Sequence, residues 1–414
     1  MTTIRFRGAE LRQLAPLRAR LAEVFGVDDA ALLPVRGPAH AADLVASLDG
    51  ATLVDERRID WDDKPSRAAA AILGAGEIVY REIGSAYGAA TPLCGALIGA
   101  PAMIEQLSQS IGGDYLHPLI CAEALKALAP ARLALKASRV AGMRLERARV
   151  ADRLRKTAGV TSVVEGGGDD LTVAASDASA VLKRGGPLGA ALLAIEDGVI
   201  LVRIGDAAAN DRALAAFGAV IGRTPRVGEA IRETKETKIA VHVDLDRAGA
   251  TSISTGVGYF DHMLEQIAAH GGVSLTLACE GDIHVDLHHT IEDCALALGA
   301  ALSQALGERR GIARYGFVLP MDEAEAKVSI DLGGRPYAVF EGAFAAPLLG
   351  DYPTEMTAHV FRSLAQTLGA AIHVSVRGEN DHHKTEACFK AFARALRAAI
   401  AVEGDAVPST KGVL

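Results

Sequence analysis

The pentapeptides HHTIE, from His288 to Glu292, and HHKTE, from His382 to Glu386, follow one pattern and lie 94 residues apart. Imidazole and carboxylate groups together suit a borderline divalent metal such as Mn, Fe, Co or Zn. A glutamate three or four residues after a histidine can share a helix face with it, so each glutamate has two candidate partners. Adjacent histidines diverge by roughly 100° around a helix, which favours their binding to different metals.

The similarity of the two copies extends beyond the pentapeptides. Apolar residues follow each copy at helical spacing, such as Ile291, Ala295 and Leu298 after the first, which predicts two amphipathic helices. A further histidine lies upstream of each copy in another helix-like segment, His262 in the first half and His359 in the second. A repeat with matched flanks favours two metal sites in a duplicated fold over two unrelated helices that begin with polar residues.

A change of pattern near Gly222 divides the chain. A Gly/Pro break from Gly222 to Pro225 leads into alternating, strand-like sequence. Beyond it, the segments TKIAVHVDL, VSLTLACEG, EAKVSIDLG and AAIHVSVRG are predicted strands that precede or flank the helices, which indicates an α+β pattern with helices on one face of a sheet, occurring twice. The predicted ranges are 1–221 for the first domain, 222–414 for the second, and about 226–312 and 313–414 for its two halves.

Composition excludes several classes of protein. The formal net charge is −8 and the basic residues are dispersed, so nucleic acid is not an expected partner. The five cysteines never form a CxxC motif, which fits reduced thiols in the cytoplasm. The first residues lack the apolar core of a signal peptide, and no apolar run reaches the length of a membrane span. We therefore expect a cytoplasmic protein that does not interact with membranes.

The second domain resembles imidazoleglycerol-phosphate dehydratase of histidine biosynthesis from about Arg226 to Leu414. The matching stretches are RETKET (232–237), STGVGYFDHMLEQIAAHGG (254–272), both HH pentapeptides, GIARYG (311–316), DLGGRPY (331–337) and PSTKGVL (408–414). The resemblance implies a hydro-lyase that converts D-erythro-imidazole glycerol phosphate into imidazole acetol phosphate and water. It also implies a duplicated α+β fold, a homo-oligomer of about 24 subunits, and two Mn²⁺ sites formed between subunits.

The resemblance also implies functional residues. The metal ligands would be His262, His288, His289, Glu292, His359, His382, His383 and Glu386. The sequence does not divide these eight between the two metals, which would act as Lewis acids that organise the substrate imidazole. Glu236, in RETKET, matches the carboxylate placed against the glycerol carbons and is the candidate general base.

A phosphorylated substrate also needs cations and hydroxyl groups. The residues that match the family's phosphate contacts are Arg314, Arg335, Lys390, Ser409 and Lys411. His270 ends the His262 helix before two glycines, where it can reach the same site, and it is a further candidate for substrate binding.

The first 221 residues resemble histidinol-phosphate aminotransferase, a PLP-dependent enzyme, but only in pieces. The pieces are 32–45, like the segment that opens its large domain; 51–61, like its VVDEAY strand; 84–107, like the stretch around its cofactor lysine; and 200–218, like its C-terminal end. Much of the usual large domain is missing between Leu48 and Asp49. The resemblance therefore implies an abbreviated α/β domain.

The departures from the aminotransferase pattern fall on its chemistry. Ser85 stands in place of the lysine that forms the Schiff base, and Cys94 in place of the arginine that binds the cofactor phosphate. Arg58 and Leu201 replace the tyrosine of DEAY and the carboxylate-binding arginine, whereas Asp55, the pyridinium partner, remains. Because a hydroxyl cannot form the imine, we expect no PLP and a non-catalytic domain.

Three functions follow from these patterns. The first is an active metal-dependent dehydratase with an inert appended domain, and the complete ligand set favours it. The second is a scaffold, whose N-terminal half recruits a partner from the pathway. The third, with both domains catalytic, conflicts with the loss of the imine-forming lysine.

Overall fold

The chain divides into two units, Met1–Thr224 and Pro225–Leu414. The predicted junction at Gly222 lies three residues before this division. The structure, a computed structural model, describes residues 11–61, 66–67, 73–74, 76–89, 93–111, 116–166, 168–249 and 251–409. No helix among these residues is both long and apolar enough to cross a membrane.

The N-terminal unit is built from runs of helices and runs of strands. Its helices are α1 (Leu11–Phe25), α2 (Pro38–Ala46), α3 (Pro101–Ser110), α4 (Pro118–Ala127), α5 (Pro130–Ala134), α6 (Lys136–Arg155), α7 (Ala178–Leu188) and α8 (Ala207–Phe217). Its strands are β1 (Leu32–Val35), β2 (Thr52–Asp55), β3 (Glu77–Ile83), β4 (Cys94–Ile98), β5 (Val160–Glu165), β6 (Asp170–Ala175), β7 (Leu192–Glu196) and β8 (Val199–Arg203).

Two small sheets organise this unit. The first has the order β1-β4-β3-β2, in which only β2 and β3 run parallel. The second has the order β5-β6-β8-β7 and is antiparallel throughout. Apolar side chains from the surrounding helices cover both sheets, and every residue of β4 is buried. The result is the abbreviated α/β unit that the sequence predicts.

The C-terminal unit contains one series of four strands and two helices twice, with two additional short strands, β16 and β17, in the second half. The first half comprises β9 (Val227–Glu233), β10 (Thr237–Asp244), β11 (Thr251–Ser254), α9 (Gly258–Gly271), β12 (Ser274–Gly281) and α10 (Leu287–Leu306). The second half comprises β13 (Tyr315–Met321), β14 (Ala324–Asp331), β15 (Tyr337–Glu341), β16 (Leu348–Leu349), β17 (Tyr352–Pro353), α11 (Met356–Leu368), β18 (Ala371–Arg377) and α12 (Asp381–Ala399).

The topology of the two halves is equivalent strand by strand. The sheet orders are β9-β10-β12-β11 and β13-β14-β18-β15, and in each sheet only the last pair is parallel. The predicted duplicated α+β fold is therefore confirmed. Six strands, β9, β11, β13, β15, β16 and β17, were not predicted, since their sequences lack the long apolar alternation of the central strands.

The helices of the two halves pack against each other across the repeat. Helix α10 lies on α11, α9 lies on α12, and one continuous apolar core joins both halves. The helices also approach the sheets closely. A Cβ atom on Gly228 or Gly316 would lie 2.0 Å from a helix carbonyl, that of Ala301 or Ala395 respectively. The two equivalent glycines let the C-terminal parts of α10 and α12 approach β9 and β13 closely.

Candidate metal and active site

The two HH pentapeptides occupy the first turns of α10 and α12, as predicted. Asp286 caps α10, because its side chain accepts a hydrogen bond from the backbone N–H of His288 at 3.0 Å. Asn380 caps α12 in the same way, with the backbone N–H of His382 at 2.9 Å. These caps satisfy N–H groups that a helix end leaves without partners. They hold equivalent histidines at equivalent positions in the two halves.

The first His cluster, defined as His288, His289, Glu292 and His359, gathers on α10 and α11. Glu292 Oε2 lies 3.5 Å from His288 Nε2, so the glutamate shares a face with the first histidine of its pair. The ring of His359 meets the ring of His288 edge-on, with 4.9 Å between centroids. His289 points away from Glu292 and towards another carboxylate.

The second His cluster, defined as His262, His382, His383 and Glu386, gathers on α9 and α12. Glu386 Oε2 lies 3.4 Å from His382 Nε2, which repeats the pairing of the first cluster. His262, on α9, lies close enough to Glu386 to lower the pKa of this carboxyl electrostatically. The ring of Tyr259, also on α9, packs edge-on against His382 at 5.3 Å between centroids.

Each cluster therefore combines residues from both halves of the repeat. The upstream histidine of one half faces the HH pentapeptide of the other half, because α9 packs on α12 and α11 packs on α10. Across the described residues, no three His, Cys, Asp or Glu side chains converge closely enough to hold a metal ion within one chain. The histidines of both clusters remain partly exposed, with exposed fractions of 47% for His289 and 48% for His382, whereas Glu386 is buried.

Glu236, the candidate base, lies in the turn between β9 and β10. Its Oε2 atom is 3.4 Å from His289 Nδ1, beside the first cluster, and 48% of its side chain is exposed. The backbone N–H of Glu236 donates to Thr234 Oγ1 at 3.2 Å, which supports the turn without engaging the carboxylate. The carboxylate is thus available to a substrate.

Lys390 and His270 lie beside the second cluster. Lys390 Nζ forms an ion pair with Glu386 Oε1 at 2.6 Å. Burial acts to raise the pKa of Glu386, but Lys390 and the two nearby histidines outweigh it, so the pKa lies below its ordinary value. Burial, Lys390 and Arg394 together lower the pKa of His270, which favours a neutral imidazole there.

The other candidate phosphate contacts differ in how firmly they are held. Arg314 forms a bidentate ion pair with Asp331, at 2.5 and 3.0 Å, and donates from Nη1 to the carbonyl of Pro408 at 3.0 Å. Arg335 is exposed between β14 and β15, and Ser409 is half-buried near the C-terminus. Lys411 lies outside the described residues.

One carboxylate of the site was missed by the sequence reasoning. Glu323 lies in the turn between β13 and β14, and its Oε2 atom is 2.8 Å from His383 Nδ1. This hydrogen bond, with a second from the backbone N–H of Asn380, lowers the pKa of Glu323 to about 2. The equivalence of this turn to the turn that carries Glu236 is the signal that could have found it.

In the N-terminal unit, a cavity of about 100 Å³ surrounds the residue in place of the Schiff-base lysine. Ser85 Oγ donates a hydrogen bond to Asp169 at 2.7 Å. Asp55 is bound by Arg57 at 2.6 Å, and Arg58 pairs with Asp170 at the same distance. No lysine is among the described residues that line this cavity, and the carboxylate of Asp55 is already paired with an arginine.

Comparison with known proteins identifies the C-terminal unit. Residues 255–396 match the family model of imidazoleglycerol-phosphate dehydratase. The chain is also 60% identical over 190 residues to the histidine biosynthesis bifunctional protein HisB of Stenotrophomonas maltophilia (strain R551-3). The C-terminal unit belongs to the imidazoleglycerol-phosphate dehydratase family. The alignment covers 46% of this chain and 53% of HisB, so the chain spans about half the length of the curated relatives that it matches.

Solved structures resemble each half of the chain. Imidazoleglycerol-phosphate dehydratase from Pyrococcus furiosus is 35% identical, with 44% of this chain and 99% of that chain covered and a TM-score of 0.40. Histidinol-phosphate aminotransferase from Sinorhizobium meliloti, in complex with pyridoxal-5'-phosphate, is 13% identical, with 50% and 80% covered and a TM-score of 0.42.

Proposed function

We propose that this protein dehydrates D-erythro-imidazole glycerol phosphate to imidazole acetol phosphate in histidine biosynthesis. The observation that carries the proposal is the pair of equivalent His/Glu clusters at the N-termini of α10 and α12, in a unit of the dehydratase family. Two clusters of one chemistry at equivalent positions are expected of a two-metal site in a duplicated fold. The proposal covers the C-terminal unit.

The donor chemistry of both clusters fits two Mn²⁺ ions. Each cluster offers imidazole nitrogens and one carboxylate, a set that suits borderline divalent metals, and its histidines remain partly exposed to further ligands. The eight residues of the two clusters would hold the ions. When bound, the ions supply Lewis acidity that organises the substrate imidazole. We further propose that subunits of a homo-oligomer, of about 24 copies in the family pattern, complete each site together.

In this proposal, Glu236 is the general base that removes a proton from the substrate. Formation of imidazole acetol phosphate requires loss of the hydroxyl group from the carbon beside the imidazole ring and of a proton from the next carbon of the glycerol chain, and Glu236 is a carboxylate at the edge of the first cluster. A general base must reach that proton within hydrogen-bond distance, and an exposed turn between two strands lets it approach a bound substrate. Glu236 would take the proton from the second carbon, the hydroxyl group on the ring-adjacent carbon would take up a proton and leave as water, and the enol that results would tautomerise to the ketone.

Cations at the edge of the site would bind the phosphate. Arg314 donates from Nε and Nη2 to the carboxylate of Asp331. Its Nη1 atom donates to the backbone carbonyl of Pro408, and a phosphate oxygen could take the place of this carbonyl. Lys390 would retain its charge in the ion pair with Glu386 while binding a second anion. Arg335, Ser409, Lys411 and His270 are proposed as additional contacts.

Genetic complementation tests this function. We expect the full chain, and also residues 222–414 alone, to restore growth without histidine in a strain that lacks the dehydratase. The second part of the expectation rests on the continuous core of the C-terminal unit, which is built from its own helices and sheets. A protein that only recruits a pathway partner could not rescue the strain. Failure of both chains, when both are present as folded protein, would contradict the dehydratase proposal.

We propose that the N-terminal unit does not use PLP, and spectroscopy tests this. Because Ser85 is engaged with Asp169 and cannot form an imine, the purified protein should show no imine absorbance after incubation with PLP. Borohydride reduction followed by peptide mass analysis should find no pyridoxyl-lysine. Lys136 is the lysine to inspect first, since its Nζ lies 3.1 Å from the hydroxyl of Tyr87, which lines the cavity. A pyridoxyl group on Lys136 or Lys183, or transamination of histidinol phosphate, would overturn this expectation.

A further inference from the structure

The two turns that precede the central strands carry equivalent carboxylates. Glu236 is the residue before β10, and Glu323 is the residue before β14, the equivalent strand of the second half. Each carboxylate lies beside the second histidine of an HH pentapeptide and approaches its Nδ1 atom. The repeat has therefore placed one carboxylate against His289 and one against His383.

The two carboxylates are held differently. Glu323 Oε2 lies 2.8 Å from His383 Nδ1, and Glu323 Oε1 accepts a hydrogen bond from the backbone N–H of Asn380 at 3.0 Å. Both oxygens of Glu323 are thus bound. The closest approach of Glu236 to His289 Nδ1 is 3.4 Å, which is longer than a strong hydrogen bond.

The partners of Glu323 belong to one structural unit. Asn380 caps α12, and its side chain accepts from the backbone N–H groups of His382 and His383 at 2.9 and 3.4 Å. The carboxylate of Glu323 contacts the backbone N–H of Asn380 and the ring Nδ1 of His383. The turn before β14 is therefore tied to the first turn of α12 at two points.

An ionised carboxylate can only accept hydrogen bonds, so His383 must present Nδ1 as a donor to Glu323. The tautomer that results leaves the lone pair on Nε2, at the opposite side of the ring. Metal-bound histidines usually donate their other ring N–H to a carboxylate or carbonyl, which fixes both the tautomer and the ring orientation.

We propose that Glu323 is a positioning residue, which holds the His383 ring so that Nε2 faces a divalent metal. This inference rests on the proposed metal-dependent function and deepens it. Glu323 does not touch the substrate in this role; it acts through His383. The two equivalent carboxylates therefore have different roles. Glu236 remains free for proton transfer, whereas Glu323 is bound at both oxygens and positions His383.

Manganese titration of the full-length protein tests the assignment. Metal is removed, Mn²⁺ is added back, and free Mn²⁺ is followed by electron paramagnetic resonance in wild-type protein and in Glu323→Gln. The amide keeps the size of the side chain but cannot satisfy both Asn380 and His383 as an acceptor. We expect the affinity of one of the two sites per subunit to fall by about 10- to 100-fold, with the other site unchanged.

Asp322→Asn is the matched control. Asp322 lies on the same turn, with 74% of its side chain exposed and Oδ2 4.0 Å from His383 Nε2, beyond hydrogen-bond reach. The Asp322→Asn substitution removes one negative charge near the His383 ring and leaves the hydrogen bond at His383 Nδ1 intact. We therefore expect a Mn²⁺ affinity close to that of the wild-type protein. Glu323→Asp keeps a carboxylate acceptor and should restore part of the lost affinity.

Three results would overturn the proposal. One is unchanged Mn²⁺ affinity in Glu323→Gln, another is an equal loss in Asp322→Asn, and the third is a loss that both sites share. Melting temperatures of the metal-free proteins separate a local effect from unfolding, and Glu323→Asp decides the matter if Glu323→Gln melts early. Wild-type protein that binds no Mn²⁺ would contradict the proposed function itself, whereas normal wild-type binding with an unaffected Glu323→Gln would contradict only the role of Glu323.

Discussion

Replacing His289 or His383 with alanine should abolish Mn²⁺-dependent dehydratase activity. Loss of a residue that only supports a metal ligand costs roughly 10- to 100-fold in metal affinity or activity, and loss of the ligand itself should exceed about 100-fold. Each histidine has its Nδ1 directed to a carboxylate, at 3.4 Å for His289 and 2.8 Å for His383. Turnover and the manganese content of the purified variants are the measurements.

His373→Ala serves as the control for these two variants. His373 is an exposed histidine on β18, and it is not part of either His cluster. We expect this variant to retain both its manganese and its activity. If His289→Ala or His383→Ala, stripped of metal and reloaded with Mn²⁺, kept wild-type turnover, the assignment of the HH pentapeptides to metal binding would be wrong.

Replacing Glu236 with glutamine should lower kcat by about 10²- to 10⁴-fold, the usual contribution of a general base. The amide keeps the size of the side chain, and the carboxylate makes only a 3.4 Å approach to His289, so the metal sites should stay intact. We therefore expect wild-type manganese content beside a large loss of turnover. Steady-state kinetics and metal analysis of the same preparation measure both quantities.

Glu308→Gln is the matched control for Glu236→Gln. Glu308 is an exposed carboxylate just after α10, paired with Arg310 at 2.8 Å. It should show wild-type kcat and wild-type manganese content. A loss of manganese in Glu236→Gln as large as its loss of turnover would indicate that Glu236 supports the metal site, and the role of base would pass to another residue.

Much of the C-terminal unit could be predicted because its signals are local. The helical spacing after each HH pentapeptide, and the alternation in the central strands, depend only on nearby residues. From sequence alone, Glu292 could pair with either His288 or His289. The structure selects His288 because this histidine and the glutamate lie four residues apart, on one face of α10.

The N-terminal unit was predictable in its fold class. The cavity and its ion pairs were not, because they join segments far apart in sequence. Arg58 meets Asp170 across 112 positions, and Ser85 meets Asp169 across 84. No periodic pattern connects such residues, so their contacts appear only once the sheets have formed.

The amino-acid sequence determined that the C-terminal unit is a repeat and which residue types stand at the starts of its two helices. Both facts follow from short-range chemistry: helical periodicity, and the donor atoms of histidine and glutamate. Folding determined which residues meet. His359 faces His288, and His262 faces Glu386, because the helices of one half pack on those of the other. Glu323 reaches His383 across 60 positions because antiparallel pairing of β13 with β14 places their turn beside the start of α12.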